Sequence, residues 1–288
     1  MYLQHVIARH FEPTYQSWDW RDAALYALAL GMGDNPLDED ELAYVYEGRE
    51  QRAVPSMYVT LGWPPLWIAE PETGIAWKQV LHGEQRIELH RPLPVSGSIR
   101  ADHRVSAVAD KGPTRGALLY FDTDLFDPTT GERLASLRAT DFLRGDGGCD
   151  SHGTPPNELP ALDVRVPATA SIEYRTSGQA ALLYRLVSRD YMPIHADPLL
   201  ARDAGLDKPI SHGLNTLGLA CRAILKLFAP RRPELIRALS VRFVSPAYPG
   251  DTIRIEMFEA AGAVRFRARA VERQVMVLDR GQCWLDRQ

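Results

Sequence analysis

The chain has 288 residues and a formal net charge of -4 at pH 7; 45% of its residues are hydrophobic and 24% are charged. These values are ordinary for a globular protein, and the small acidic excess provides no basic surface for nucleic acid. No run of about eighteen apolar residues occurs, so we expect no membrane-spanning helix. The three cysteines, Cys149, Cys221 and Cys283, are scattered, which favours a reducing compartment over a disulfide framework.

Neither end of the sequence resembles a common targeting signal. The first residues, MYLQHVIARHFEPTY, contain no apolar run long enough for a signal peptide. The last residues, CWLDRQ, differ from the SKL tail that directs proteins to peroxisomes. We therefore expect the protein to be cytoplasmic.

Residues 18–33, WDWRDAALYALALGMG, predict a short and mostly buried helix. Ser17 or Asp19 can cap its first turn, and Gly31 and Gly33 lie near its end. The segment GDNPLD follows at residues 33–38. In the second half RDYMPIH, residues 189–195, likewise follows an apolar stretch, ALLYRLV, and shares an Asp, a Pro and an aliphatic residue with GDNPLD in the same order.

A second pair of segments repeats at nearly the same spacing. HRPLPVSGSIRADHRV near residue 97 resembles RFVSPAYPGDTIRIEM near residue 250, since each has an extended run, a Pro-rich turn with Gly and an alternating strand. Both pairs are separated by about 155 residues, which favours an ancestral duplication. Chance similarity between turns rich in Pro and Gly is the alternative.

Strand signals follow the Pro-Gly turn in each half, so each half is predicted to be a helix followed by antiparallel strands. This order indicates an α+β fold in which a sheet wraps a helix. Residues 146–168 are rich in Gly, Pro and polar residues, and we interpret them as a linker with an exposed tip. The predicted halves are residues 1–145 and 169–288.

The densest group of chemically active residues lies in residues 184–225. Asp190 and His195 are five residues apart with Pro193 between them, so a loop rather than a continuous helix is expected to hold them. Their side chains could converge on one water. A carboxylate beside an imidazole can divide the removal and delivery of protons near neutral pH.

A long apolar helix, HGLNTLGLACRAILKLF, is predicted after this loop, with Ser211 or His212 near its start. Its first turn would present unpaired backbone N–H groups and the positive end of the helix dipole. Gly213 has no side chain to block approach. Such a helix end suits a carbonyl oxygen that becomes anionic during a reaction.

DYMPIHADP followed by PISHGLNTLG resembles the signature of the type 2 enoyl-CoA hydratases, which are MaoC-like enzymes with a double hot-dog fold. LYALALGMGDNPLDEDELAYVYEG, residues 25–48, resembles the N-terminal half of the same family, and RFVSPAYPGDTI extends the similarity over nearly the whole chain. The resemblance implies a degenerate first half that accommodates the acyl chain and a catalytic second half. The duplication should pair two hot-dog repeats within one chain, and we also expect a homodimer.

The resemblance implies an enzyme of fatty acid metabolism without a cofactor, in which Asp190 and His195 activate a water. That water adds across the 2,3 double bond of a trans-2-enoyl-CoA and gives an (R)-3-hydroxyacyl-CoA. The backbone N–H of Gly213 would bind the thioester oxygen. The acyl-CoA is expected to contact Tyr191, Met192, Ser211, His212 and Arg242.

The chain departs from the family pattern at two positions. Met192 stands where the family has an Asn that is expected to help orient the water, so a donor and an acceptor are lost. Arg189 stands where the family usually has Gly. In the first half, the position of the catalytic His is occupied by Asp38 or has no counterpart, so that half should be catalytically silent.

The same residues also have structural interpretations. Asp190 could cap a turn while His195 satisfies a buried carbonyl, and His212 could serve mainly to fix the helix start. Asp197, before Pro198, is expected to cap a helix. No metal site is expected, because paired Cys or His spacing of the zinc kind is missing.

Alternatives also exist for the role of two arginines and for the function of the protein. Arg231 and Arg232 could meet CoA phosphates, although solvated arginines are commoner. A thioesterase on the same fold is the competing enzyme. A non-catalytic acyl-thioester binding protein is the competing function from another class, and Met192 prompts it.

Overall fold

The computed structural model describes residues 1–48, 50–163 and 165–286, so position 164 of the predicted linker and the last two residues of the second half lie outside the described residues. The helices are α1 (Leu3–Ile7), α2 (Trp20–Ala29), α3 (Glu39–Val45), α4 (Ala180–Ser188), α5 (Pro198–Asp203) and α6 (Gly213–Phe228). The strands are β1 (Thr14–Trp18), β2 (Val80–Leu89), β3 (Gly97–Asp110), β4 (Ala117–Phe126), β5 (Arg133–Leu143), β6 (Ala170–Arg175), β7 (Ile236–Phe243), β8 (Thr252–Ala260), β9 (Ala263–Ala270) and β10 (Val275–Leu285).

The ten strands form one antiparallel sheet in the order β1-β3-β4-β5-β2-β7-β10-β9-β8-β6. The order of the second five strands mirrors that of the first five, as a duplicated unit requires. The two halves join where β2 pairs with β7, from Glu84 opposite Arg242 to Glu88 opposite Ala238. This architecture confirms the predicted α+β double hot-dog fold.

Alternation along the strands separates the two faces of the sheet. In β8 the side chains of Ile253, Ile255 and Met257 are fully buried, whereas Arg254 and Glu256 between them point to the other face. Successive side chains of a strand face opposite ways, so the apolar set lines the inner face. The helices pack against this face and enclose the main core.

The helix α6 is the central helix of the second half, and its residues from Leu214 to Leu225 are all buried. In the described residues of the first half, the buried 3-10 helix Pro55–Thr60 lies in the corresponding position, whereas α2 corresponds to α4, since each follows the first strand of its half. Gly62, Pro64 and Pro65 follow that 3-10 helix and prevent its extension. Across the part of the chain that is described, no helix is both long and apolar enough to cross a membrane.

The helix α2 begins where the sequence predicts. Asp19 is its N-cap, and a reciprocal pair of hydrogen bonds with Asp22 completes a capping box. Asp197 likewise caps α5 by accepting from the N–H groups of Leu199 and Leu200. Of the two caps predicted for α2, Asp19 is therefore the one used, while Ser17 lies in β1, and the prediction for Asp197 is confirmed.

Part of the predicted linker lies along the outer face of the sheet. His152 forms an isolated bridge with Val108 of β3. Leu159 is buried, and its carbonyl accepts from Arg280. Arg86 donates to the carbonyl of Asn157. The segment is therefore fixed to both halves, although most of its described residues are exposed.

Candidate active site

The structure brings Asp190, His195 and His212 together. His195 Nε2 lies 3.9 Å and His212 Nε2 lies 4.0 Å from Asp190 Oδ2. The side chain of Asp190 is 29% exposed, that of His195 12% and that of His212 3%. These distances are too long for direct hydrogen bonds, but one water can bridge such groups at about 2.8 Å from each. The two histidines are therefore more deeply buried than Asp190, whose side chain is partly open to solvent.

Asp190 is placed by the end of α4. Arg189, the C-cap residue, adopts the left-handed conformation with φ 58° and ψ 14°, and this reverses the chain. The N–H of Asp190 donates to Ser188 Oγ at 3.3 Å, and Asp190 Oδ1 accepts the N–H of Met192 at 3.1 Å. Oδ1 is thus occupied by the backbone, which leaves Oδ2 directed toward the histidines.

His195 is held by the backbone on both sides. It ends a 3-10 helix, Pro193–His195, and its N–H donates to the carbonyl of Met192 at 3.2 Å. Its Nδ1 lies 2.9 Å from the carbonyl oxygen of Ile210. A carbonyl only accepts, so Nδ1 carries the hydrogen, and Nε2 of the neutral ring is a free acceptor facing Asp190.

His212 belongs to the site, although the sequence interpretation favoured a role at the helix start. It is the N-cap of α6, but its side chain makes no capping hydrogen bond. Its Nε2 donates to the backbone carbonyl of Asp190 at 3.3 Å, and its ring stacks on that of His195 with centroids 3.7 Å apart. Tyr184 lies behind the ring at 5.1 Å.

Both imidazoles are predominantly neutral at pH 7. Burial lowers the pKa of His195 below its usual 6.5, the nearby Asp190 carboxylate opposes that shift, and Arg185 adds to it. Burial also lowers the pKa of His212, and the neighbouring His195 lowers it further. Neutral rings can accept a proton, so the site can act as a base without first losing one.

The amino end of α6 forms the adjoining wall. Within the described residues, the N–H of Gly213 meets no acceptor, as is usual for the first N–H groups of a helix. The first turn is closed by the N–H groups of Asn215 and Thr216, which donate to the carbonyl of His212. A Cβ at Gly213 would lie 3.0 Å from Phe243 Cδ1. A free amide and the positive helix end therefore meet in a narrow gap beside an aromatic ring.

The other predicted substrate contacts differ in position. Tyr191 is 56% exposed and lies under the guanidinium of Arg185, with 5.2 Å from Arg185 Cζ to the ring centroid. Met192 is half-buried, and its backbone N–H donates to Asp190 Oδ1. Ser211 is buried, and in the described structure its Oγ has no hydrogen-bond partner.

The structure does not bring Arg242 to the site. Arg242 and Phe243 are consecutive in β7 and so point to opposite faces of the sheet. Phe243 faces Gly213, whereas Arg242 Nε donates to Glu84 Oε1 at 2.8 Å across the junction of the halves. The expectation that Arg242 contacts substrate is corrected accordingly.

Arg231 and Arg232 are also paired with acidic side chains. Arg231 pairs with Glu39 and Asp40 of the first half, and Arg232 pairs with Glu234. The positive charges of both arginines are therefore already balanced by these carboxylates. Asp38, at the start of α3, bonds to Lys226 rather than to a catalytic partner.

Asp190, His195 and His212 each offer one ligand atom, and these atoms lie within 4.8 Å of one another. The geometry does not suit one metal ion, because the two rings stack with only 23° between their planes. An ion must lie near the plane of each imidazole that binds it, and planes stacked in this way do not meet at one nearby point. The bond from His212 Nε2 to a carbonyl also uses the nitrogen that would be needed.

A groove of about 900 Å³ lies on the outer face of the sheet and not at this cluster. It is lined by arginines and carboxylates that pair with each other, such as Arg104 and Arg138 with Asp122. Several of its charged groups are therefore paired with one another. Size alone does not identify the site, whereas the convergence of titratable groups does.

Sequence reasoning missed three residues around the site, namely Arg185, Asn215 and Arg222. The last two are polar side chains on the otherwise apolar helix α6, and both are buried. A charge within a buried apolar helix is itself a signal, since such groups are rarely buried without a partner. The identity of that partner depends on the other half of the chain.

Residues 16–145 match the MFE-2 hydratase 2 N-terminal domain, and residues 161–280 match the MaoC like domain. The chain is 35% identical over 288 residues to enoyl-CoA hydratase 2, peroxisomal, of Arabidopsis thaliana, covering 95% of this chain and 92% of the relative. It is 34% identical over 246 residues to 3-hydroxyacyl-thioester dehydratase Y of Mycobacterium tuberculosis, covering 84% and 82%.

A solved structure agrees over almost the full length. The crystal structure of the MaoC-like dehydratase from Phytophthora capsici superposes with a TM-score of 0.87 at 28% sequence identity, covering 99% of this chain and 98% of that one. The two halves, their order and the central helix of the second half are thus shared features. The chain belongs to the MaoC-like family of hydratases and dehydratases, in its hydratase 2 branch.

Proposed function

We propose that this protein is an (R)-specific enoyl-CoA hydratase, which adds water across the 2,3 double bond of a trans-2-enoyl-CoA and catalyses the reverse dehydration. The observation that carries the proposal is the Asp190–His195 pair beside the free N–H of Gly213. The Asp190–His195 pair can transfer protons, and the Gly213 N–H can donate a hydrogen bond to an oxyanion. The names of the two curated relatives support the same chemistry.

In the reaction, the thioester oxygen accepts the N–H of Gly213, and this draws electron density from C3 toward the carbonyl. A water held by Asp190 Oδ2 and His195 Nε2 attacks C3 as the pair takes one of its protons. The C2–C3 π electrons move to C2 and delocalise onto the thioester oxygen. The pair then returns one proton to C2, so that one H₂O is added and the side chains are restored.

The first half is proposed to hold the acyl chain. A cavity of about 50 Å³ lies on its inner sheet face, under the segment that follows the 3-10 helix Pro55–Thr60. Its lining is mostly apolar and includes Leu61, Trp63, Leu137 and Ala139. Because the described residues of this half include no long central helix, an apolar chain can enter between the short helices and the sheet. We place the division of labour at residues 1–145 and 169–288.

The test is turnover of purified protein with crotonyl-CoA and longer enoyl-CoAs, followed as loss of the conjugated thioester absorbance. Asp190→Asn should lower kcat by about 10³-fold or more with little change in Tm. Asp197→Asn is the matched control, because it makes the same change seven residues away at a helix cap that Asn also serves. Absence of turnover in both directions with the wild type would remove the proposal.

Two other functions give different results in the same assay. A thioesterase would release free thiol from the substrates, and the hydratase would not. A non-catalytic binding protein, suggested by Met192, would show ligand-induced stabilisation without turnover. Cellular location and assembly rest on the sequence alone: we propose a cytoplasmic protein, from its scattered free cysteines, and a homodimer.

A further inference from the structure

Two polar side chains of α6 reach the carboxyl end of α2 in the other half. Asn215 Nδ2 donates to the carbonyl of Ala29 at 3.1 Å, and Arg222 Nη1 donates to the carbonyl of Leu30 at 2.9 Å. The two residues are about two helical turns apart, so they lie on one face of α6. The last carbonyls of a helix lack partners within it, and here α6 supplies them.

Arg222 is fixed further by a buried ion pair. Its Nε and Nη2 donate to the two carboxylate oxygens of Glu41 at 2.6 and 2.8 Å, and its Cζ lies 4.0 Å from the centroid of the Tyr174 ring. Glu41 Oε2 also accepts the N–H of Gly33 at 3.1 Å. The carboxyl end of α2 and the start of α3 are therefore linked to each other, and together they bind α6.

The first turn of α6 needs an external restraint. Its N-cap, His212, directs its ring into the site and leaves the turn without a side-chain cap. In the described chain, Asn215 is the side chain of this turn that bonds the first half. Asn215 is 1% exposed and lies only two residues after Gly213. Arg222 lies more than two helical turns after Gly213, so it is too far along α6 to fix the first turn directly.

We propose that Asn215 is a positioning residue, whose hydrogen bond to the carbonyl of Ala29 sets the place of the Gly213 N–H relative to Asp190 and His195. The consequence for rate rests on the proposed hydratase function. The first half thereby determines the geometry of the oxyanion donor while contributing no catalytic side chain. A displacement of about 1 Å at a reacting group can cost about 100-fold in rate.

The test compares Asn215→Ala with Lys226→Ala. Lys226 also joins α6 to the first half, through Asp38, but does so at the exposed far end of the helix. Asn215→Ala should lower kcat for crotonyl-CoA hydration by about 10- to 100-fold with KM within about twofold, because the oxyanion donor moves and the substrate contacts remain. Lys226→Ala should leave kcat unchanged. Equal kcat values for Asn215→Ala and wild type, or equal losses in the two variants, would overturn the proposal.

A second readout does not depend on activity. Amide hydrogen exchange in residues 213–216 should be faster in Asn215→Ala than in wild type and unchanged in Lys226→Ala. If the wild type turns over no enoyl-CoA, the hydratase function fails, and exchange alone decides whether Asn215 holds this turn. Asn215→Ser, which keeps a small polar residue there, is the second variant should Asn215→Ala not fold. Unchanged exchange in the folded variant would overturn the proposal.

Discussion

The rings of His195 and His212 stack with centroids 3.7 Å apart and planes 23° apart. A proton on one ring disfavours a proton on the other, so the two titrate as a coupled pair. Burial already holds the pKa of both rings below the usual 6.5. Burial, more than the stack, therefore keeps His195 in the neutral form that can accept a proton from water.

The rate should fall with acidity as His195 is protonated. Because its pKa is lowered by burial, opposed by Asp190 and lowered again by Arg185, the acid limb of kcat/KM should lie below pH 6.5. Arg185→Gln removes the positive charge, so the pKa of His195 rises and the acid limb moves to higher pH. The measurement is kcat/KM for crotonyl-CoA from pH 4.5 to 8.

Arg202→Gln is the control for this profile, because it removes an exposed charge from α5. Its acid limb should coincide with that of the wild type. A limb that moves to lower pH in Arg185→Gln would contradict the assigned sign of the interaction. An unmoved limb would show that Arg185 does not act on the pair.

The free amide at the start of α6 should be sensitive to one added methyl group. In Gly213→Ala the new Cβ would meet Phe243 Cδ1 at 3.0 Å and crowd the gap that the thioester oxygen enters. We expect kcat/KM to fall by about 10- to 100-fold, somewhat less than for complete loss of such a donor. Gly178→Ala, where the added Cβ meets nothing within 4 Å, should have no effect. Wild-type kinetics in Gly213→Ala would show that the thioester carbonyl of the substrate does not bind at the Gly213 N–H.

Local patterns were enough to predict the strands after the Pro-Gly turn of each half, the cap of α2 and the loop that carries Asp190 and His195. Each depends on neighbours in sequence, such as Pro193 ending helical continuity or alternation marking β8. The repeat spacing further predicted the paired halves, which the mirrored strand order bears out. The predicted order of helix first was wrong, because β1 precedes α2 and β6 precedes α4.

Contacts between distant residues were not predictable in the same way. The partner of Arg222 is 181 residues away, and the face on which Arg242 lies depends on the register of β7 against β2. For His212 the sequence indicated a helix start and a substrate contact, but not the stacking on His195, which depends on the 3-10 turn that places the second ring. These features are set by packing between elements, and a single sequence does not report it.

Arg189 occupies a backbone conformation that favours glycine. Its φ of 58° is left-handed, which explains why the family usually has Gly before the catalytic Asp. Arg189→Gly should raise the free energy of unfolding by about 0.5 to 1 kcal/mol, because the relief of strain exceeds the entropy that glycine adds to the unfolded chain. Urea denaturation measures this change.

Arg280 provides the contrast, since its φ is 55° but its guanidinium bonds Glu158 and the carbonyl of Leu159. Arg280→Gly loses those bonds, so it should gain no stability. A lower midpoint for Arg189→Gly than for wild type at equal slope would mean that the Arg189 side chain stabilises the loop.

A third histidine, His103, should make stability depend on pH away from the site. It is 8% exposed, and burial lowers its pKa to about 4 although Asp102 opposes the shift. Thr14 Oγ1 donates to the carbonyl of Gly62, so it accepts from His103 Nε2 at 3.0 Å. Nδ1 then accepts the hydroxyl of Thr123, also at 3.0 Å, and the neutral ring satisfies every group.

Because burial disfavours the charged ring, the folded state takes up the proton only near pH 4, while the unfolded chain takes it up near 6.5. The stabilisation from neutral His103 is complete above pH 6.5 and is lost as the pH falls to about 4. His103→Gln should reduce the slope of unfolding free energy against pH in this window by up to about 1.4 kcal/mol per pH unit. His10→Gln, at an exposed histidine, should leave the slope unchanged. Equal slopes for wild type and His103→Gln would show that the ring titrates alike in both states.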